Sequence, residues 1–444
     1  MPRMVPGLKA LAASAACALC MALHASARGD DAADKASDPL ERIRALNRIT
    51  GSDPIKTEAR LLSGKADETR KFLKEAVELV KTGKTPLTYS AAFTLAQAAS
   101  RVNDGKAAEF FYRRCISQAV ALKSSGRLRQ AYGGLIDYLY ENKKYAESAR
   151  LCRELLELKT DDGKERIVVF TVTTRFGETD FVEDNRFDSA KGIRPLVHHL
   201  LIQAVTKQGK YEQALKLVEN LVKAKNHWLE IALKGWVLKE AGKLQEAAKV
   251  YENALDRVGK DKDLDQEDRD SYQDNYRYIL SGIYVDIKKI DQASEQLQTL
   301  LAKNPEDPGF NNDLGYIWAD HDMKLEEAEK LIRKALELDR KRRKANPKIP
   351  PELDRDNGAY LDSLGWVLYK RKMFKEAKDA LLKAVQDKAA QHIEIYDHLG
   401  DVLMALGERD AAIKAWRRGV ELATDSRRDQ VRRVAVEKKL EMHK

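Results

Sequence analysis

The feature that most restricts this chain is a recurring set of small residues. A glycine stands inside each of several helix-patterned segments, at Gly235, Gly315, Gly365 and Gly400. About 12 residues later comes Ala247, Ala328, Ala377 or Ala412, and seven further on Ala254, Ala335, Ala384 or Gly419. Glycine inside a helix costs about 1 kcal/mol relative to alanine, so its return at one place implies a packing gain. Two antiparallel helices joined by a short turn approach closely only where side chains are small and the ridges of one enter the grooves of the other. The pattern therefore predicts helix hairpins stacked in series rather than one closed core. At 444 residues the chain also exceeds the size at which a single core keeps growing, and with only 24 Gly and 11 Pro it has few turns for an all-β fold.

One segment, LDSLGWVLYKRKMFKEAKDALLKA from residue 361, shows two stripes. Leu361, Leu364, Gly365 and Leu368 recur at the spacing of a packed helix face, whereas Asp362, Trp366 and Tyr369 form a second stripe of mixed aromatic and acidic character. Leu364, Gly365, Leu368, Phe374, Ala377 and Ala384 fall on successive positions of the pattern W-x-x-L-G-x-x-Y, A-x-x-x-F, A and P. In these residues the chain resembles the tetratricopeptide repeat family, and the wording LGYIWAD, LDSLGWVLYK and HLGDVLMALG is similar to a bacterial exported or envelope subgroup. Weaker copies are placed by Ala108, Ser148, Ala214 and Ala293, the last ending in Asn304-Pro305. The resemblance implies an all-α fold, a right-handed α-solenoid of about eight helix hairpins.

The remaining chain is organised around that array. MPRMVPGLK, the apolar run after it and Ala25-Ser26-Ala27 read as a signal peptide over residues 1–27, cleaved near Ala27, the apolar run being shorter than the roughly 20 residues that span a bilayer. Cys17 lacks the aliphatic residue of a lipidation box, so a lipoprotein is disfavoured. Residues 28–37 read as a disordered linker, 38–87 as an N-terminal helical cap, and 88–158 as repeats one and two. Residues 159–192 form an insertion whose IVVFTVT, turn at Arg175-Phe176-Gly177 and returning DFVED predict a small β-hairpin. Repeats three to eight follow over 193–424, with a proline-rich basic loop or helix extension near 340–358. Residues 425–444 predict a basic C-terminal capping helix.

In the repeat family the first helices of successive units line a concave groove that holds peptide ligands, and the resemblance places Trp236, Tyr278, Asn312, Tyr316, Asp320, Asp362, Trp366, Tyr369, Asp397 and Asp401 on that wall. Phe93, Tyr140 and His199 take equivalent places earlier in the chain. For Trp236 and Trp366 the competing reading is packing between neighbouring first helices, since tryptophan is mostly buried wherever it sits. Asp362, Asp397 and Asp401 would make the last groove negative and favour a protein or peptide partner bearing Lys or Arg with apolar anchors. The Lys and Asn set with which some family members clamp a peptide carboxylate is missing.

No catalytic chemistry emerges. G-x-S-x-G and H-E-x-x-H do not occur, and T-G-K-T at 82–85 lacks the upstream glycine of a phosphate loop. His198 and His199 point about 100° apart on a helix and His392 and His398 are likewise misaligned, so no metal and no cofactor is expected. The formal charge of +9 is spread among 70 acidic residues, which argues against nucleic acid. Cys115 and Cys152 fall on apolar helix faces, where buried free thiols are favoured over a bridge. The expected function is an exported, non-enzymatic protein-binding scaffold of the periplasm or cell envelope, with no membrane span after cleavage. Two alternatives stand beside it: an adaptor presenting substrates to an envelope processing protease, which the resemblance to the envelope subgroup implies, and an enzyme with a site in 159–192.

Overall fold

The computed structural model describes residues 39–48, 66–83, 86–122, 124–156, 190–346, 354–387 and 391–443. The signal peptide, the linker and the β-hairpin expected within 159–192 therefore lie outside the described residues, apart from the start of one helix at Ala190. All regular structure among the described residues is helical. The chain divides into two compact units at Gly242 and Lys243.

The N-terminal unit holds α1 (Pro39–Arg48), α2 (Ala66–Lys81), α3 (Tyr89–Arg101), α4 (Gly105–Ala121), α5 (Ser125–Glu141), α6 (Tyr145–Leu156), α7 (Ala190–Lys207), α8 (Tyr211–Lys225) and α9 (Trp228–Glu240). The C-terminal unit holds α10 (Leu244–Lys260), α11 (Gln266–Asp286), α12 (Ile290–Lys303), α13 (Pro308–Asp320), α14 (Leu325–Lys344), α15 (Gly358–Lys370), α16 (Phe374–Ala384), α17 (Ile393–Ala405), α18 (Arg409–Leu422) and α19 (Arg427–Met442). Within the latter, α11 with α12, α13 with α14, α15 with α16 and α17 with α18 form antiparallel hairpins, and α19 packs on the last pair.

Side-chain periodicity makes these helices and aims them. In α10 the buried residues are Leu244, Ala247, Ala248, Tyr251, Ala254 and Val258, a single stripe at the helical period. The small-residue pairs lie where the hairpins close: a Cβ at Gly315 of α13 would stand 2.7 Å from Ile332 Cγ1 and 2.8 Å from the Ala328 carbonyl oxygen of α14. At Gly365 it would stand 2.5 Å from Leu381 Cγ of α16. Leu314, Ile332, Leu361, Leu368, Leu381, Val402, Trp416 and Val436 belong to one continuous core running through the C-terminal unit.

Each hairpin turn uses the same backbone device. A residue in the left-handed region recurs at Asn103, Lys143, Gly209, Lys288, Asp322, Lys372 and Gly407, and also at Gly242 between the units. The following amide then donates back over the turn, as Lys289 N–H does to the Tyr284 carbonyl at 2.8 Å and Met373 N–H to the Leu368 carbonyl at 2.9 Å. This arrangement satisfies carbonyls that a helix end leaves bare. The left-handed conformation costs a non-glycine residue roughly 1–2 kcal/mol, of which glycine's greater freedom in the unfolded chain returns about half. Lys372→Gly is accordingly expected to stabilise the C-terminal unit by about 0.5–1 kcal/mol. A lowered urea midpoint for that variant would refute the strain at the turn.

The basic loop near 340–358 is partly helix: α14 runs on to Lys344, and Arg340 Nη2 and Arg343 Nη2 hold Asp356 at 2.5 and 3.1 Å on the returning strand of chain. Cys115 and Cys152 are both buried and unbridged. Burial pushes the Cys152 thiol up to about 12, so it stays protonated and inert at neutral pH.

Candidate functional site

The site is built on the first helices α13, α15 and α17. Each is started by a side-chain cap: Asp307 accepts from Phe310 N–H, Asn357 from Ala359 and Tyr360 N–H, and His392 from Glu394 N–H. These caps fix the rotation of each helix, and with it which residues face its neighbours.

From α15, Trp366 lies flat between two rings, with His398 of α17 at 4.1 Å and 14° and Tyr369 at 5.1 Å and 13°. Its indole N–H donates to Asp320 Oδ1 of α13 at 3.0 Å. The Tyr316 hydroxyl of α13 donates to Glu394 Oε1 of α17 at 2.8 Å, and its ring lies 6.3 Å from that of His398. Packed helices sit about 8–10 Å apart, so a flat row would hold α13 and α17 roughly 16–20 Å apart, beyond the reach of such contacts. The first-helix face of this unit is therefore concave and tightly wound.

His398 is buried at its centre. Its Nδ1 lies 2.9 Å from Asp362 Oδ1, and its Nε2 is 3.5 Å from Arg432 Nη1 of α19. Burial alone would lower the imidazole's pKa, but the Asp362 and Glu394 carboxylates outweigh both that and the Arg432 guanidinium, and hold it above the ordinary value. Glu394 is half-buried, which by itself would raise its carboxyl, yet Arg432 and His398, with the Tyr316 hydroxyl, keep it below the usual range.

The acidic residues of the last repeat are not free. Lys439 Nζ of α19 lies 2.6 Å from Asp397 Oδ1 and 2.6 Å from Asp401 Oδ1. Arg432 Nη1 lies 3.1 Å from Asp397 Oδ2, and Arg432 Nη2 pairs with Glu394. Arg428 Nη2 reaches Asp286 Oδ1 at the end of α11, at 3.2 Å. The capping helix thus runs from the end of α11 to α17 along the concave face. Arg428, Arg432 and Lys439 stand at i, i+4 and i+11, which puts them on one stripe of the helix. Its apolar attachment is slight by comparison. Val436 is fully buried, worth about 1.5–3 kcal/mol, whereas Val431, Val434 and Met442 are 68%, 53% and 72% exposed.

These contacts correct the expectation of a negative groove in the last repeat. Asp362, Asp397 and Asn312 are buried; Asp362 is engaged by His398, and Asp397 and Asp401 by α19. Among the expected wall residues, Asp320, Trp366, Tyr369 and Asp401 are half-buried and joined to one another or to α19, Tyr316 is half-buried and joined to α17, and Tyr278 is the most open at 42% and donates to Asp313. Trp366 satisfies both readings at once, being wedged between first helices and still partly exposed. Trp236 stands in the other unit, half-buried, with Lys207 Nζ 5.4 Å from its ring centre. Phe93 and His199 are buried. His398, Glu394, Arg432 and Lys439 were not among the expected site residues. The available signal was the juxtaposition of a basic tail with an acidic stripe, together with its two-turn spacing of Arg432 and Lys439.

Tetratricopeptide repeat family models match residues 283–343 and 393–426, which cover α12 to α14 and α17 to α18. These two segments are tetratricopeptide repeats. A TPR repeat-containing protein of Pseudomonas aeruginosa, PA4667, is 31% identical over 127 residues, which are 29% of this chain and 19% of that one. The chain thus spans about a fifth of that relative's length. Among solved structures, MamA from residue 41 of Desulfovibrio magneticus is 21% identical, with a TM-score of 0.34 over 44% of this chain and 96% of its own. The C-terminal part of a TPR repeat-containing protein of Cytophaga hutchinsonii is 15% identical, with a TM-score of 0.37 over 67% and 97%. Tetratricopeptide repeats are protein-binding modules, and no described helix of this one is long and apolar enough to cross a membrane.

Proposed function

We propose that this repeat protein is an exported, non-enzymatic scaffold of the periplasm or cell envelope that binds a partner protein through the first-helix face of its C-terminal unit. The observation that carries the reading is the convergence of Trp366, Tyr369, Tyr316 and Asp320 from successive helices on one concave face. Partly exposed rings beside carboxylates offer large contact area at low conformational cost, with charge to set register. Export rests on the signal-like residues 1–27.

The test is affinity capture from envelope extract with the full chain and with a Trp366→Ala/Tyr369→Ala variant. A central aromatic anchor contributes 2 kcal/mol or more, roughly 30-fold in Kd, so the partner should be lost from the variant while helical content is kept. Equal capture by both would exclude this face. Unfolding of the variant would assign the rings to packing alone. Trp236→Ala, in the other unit, is expected to leave capture unchanged.

A further inference from the structure

We infer that α19 is a built-in occupant of the acidic face, and that the face takes in its place a partner helix bearing basic residues at i, i+4 and i+11. This deepens the scaffold reading and rests on it. Three observations carry the inference. First, α19 is seated along the face rather than only on the end of the array: it touches Asp286 of α11 at one end and Asp401 of α17 at the other. Secondly, the attachment is predominantly ionic. Arg428, Arg432 and Lys439 meet Asp286, Glu394, Asp397 and Asp401, while Asp429 and Val436 are the only side chains of the helix that are buried. Thirdly, its outward side carries Val431, Val434 and Met442 in the open, so its apolar anchor is only Val436 with the partly buried Leu440, less than in α10 to α18.

The chemistry of the occupant follows from the same contacts. Asp397 and Asp401 converge on one ammonium, and Glu394 with Asp397 on one guanidinium, so the face presents two cation seats spaced for residues two helical turns apart. His398 Nε2 faces the guanidinium seat, and the Tyr316 hydroxyl shares Glu394 with it. A planar fork fills that seat better than an ammonium, which favours Arg at i+4 and Lys at i+11 in the incoming helix. Because α19 already fills both seats, an external helix meets a closed face until α19 lets go, and its affinity is reduced by the fraction of chains that are closed. The two helices compete for the same carboxylates.

The test uses a labelled synthetic peptide of residues 424–443 as the incoming helix. It is titrated into the full chain and into the full chain carrying Arg428→Glu, Arg432→Glu and Lys439→Glu. The peptide should bind the substituted chain at least tenfold more tightly than the wild type, and a peptide with Ala at the three basic positions should bind neither. Equal affinity for both chains, or no binding to the substituted chain, overturns the inference. Should the substituted chain fail to fold, hydrogen exchange on the wild type decides. The amides of α19 are expected to exchange at least tenfold faster than those of α17 and α18, and faster again in 0.5 M than in about 0.05 M NaCl, as the Debye length shrinks from roughly 14 to 4 Å. Protection equal to that of α17 and independent of salt overturns it. A wild-type chain that dimerises in sedimentation velocity by exchanging α19 also overturns it, since the occupant is then a second copy. The scaffold reading fails separately, when the substituted chain captures no partner at all. With the scaffold intact, the inference fails when both chains hold the same partner equally.

Discussion

Gly315→Ala is expected to destabilise the C-terminal unit by about 2 kcal/mol, whereas Gly282→Ala is expected to stabilise it by up to about 1 kcal/mol. Both glycines lie inside helices, and both changes gain the same intrinsic helix propensity. The surroundings decide the sign. A Cβ at Gly282 meets nothing within 4 Å, but at Gly315 it meets Ile332 at 2.7 Å and the Ala328 carbonyl oxygen at 2.8 Å. A backbone oxygen cannot step aside without shifting α14, and forcing a methyl into a filled interface costs typically 1–3 kcal/mol. Urea unfolding followed by helical signal measures both variants. Two changes of the same sign would show that the α13 and α14 contact is looser than these distances require.

A second large effect is expected at the buried pair of α15 and α17. Asp362→Asn removes the carboxylate facing His398 Nδ1, and breaking a buried pair on one side is expected to cost about 3 kcal/mol near pH 6. The pH dependence has a defined sign. The folded imidazole titrates above its ordinary value of 6.5, so its contribution is complete below about pH 6.5 and is lost as pH rises through the folded pKa. The groups facing the ring are Asp362 of α15, Glu394 of α17, Tyr316 of α13 and Arg432 of α19. The guanidinium keeps its charge at every pH in question, and Glu394 is held below the usual carboxylate range, so neither titrates in this window. Wild-type stability should therefore decline as pH rises above 6.5, and the deficit of Asp362→Asn should shrink with it. A deficit that stays constant with pH would mean that His398 remains neutral throughout.

Much of this architecture was legible in local patterns because the forces that set it are local. A stripe such as Leu244, Ala247, Tyr251, Ala254 and Val258 fixes a helix and its buried face, and the glycine and alanine spacing fixes the closest approach within a hairpin. Both are properties of a few consecutive turns. Buried Cys115 and Cys152 follow from the same stripes. Trp366 and Tyr369 lie beside the fully buried stripe of α15 and pack at the edge of the core, where a rotation of about 100° per residue puts them.

What those patterns could not supply was the partner of each inward group. Whether Asp397 faces water or an ammonium depends on where a helix some 30 residues later comes to rest, and that is decided by how it packs on the hairpin before it. Tyr316 reaching Glu394, 78 residues away, records how tight the curvature of the first-helix face is. A small change in each interhelix angle would open the face and free the carboxylates. The amino-acid sequence by itself determined that this chain forms helix hairpins, how they close, and which residues turn inward. Only the tertiary structure decided that the inner face meets its own basic helix, because charge pairing acts between groups that packing brings together, and no spacing along the chain encodes that distance.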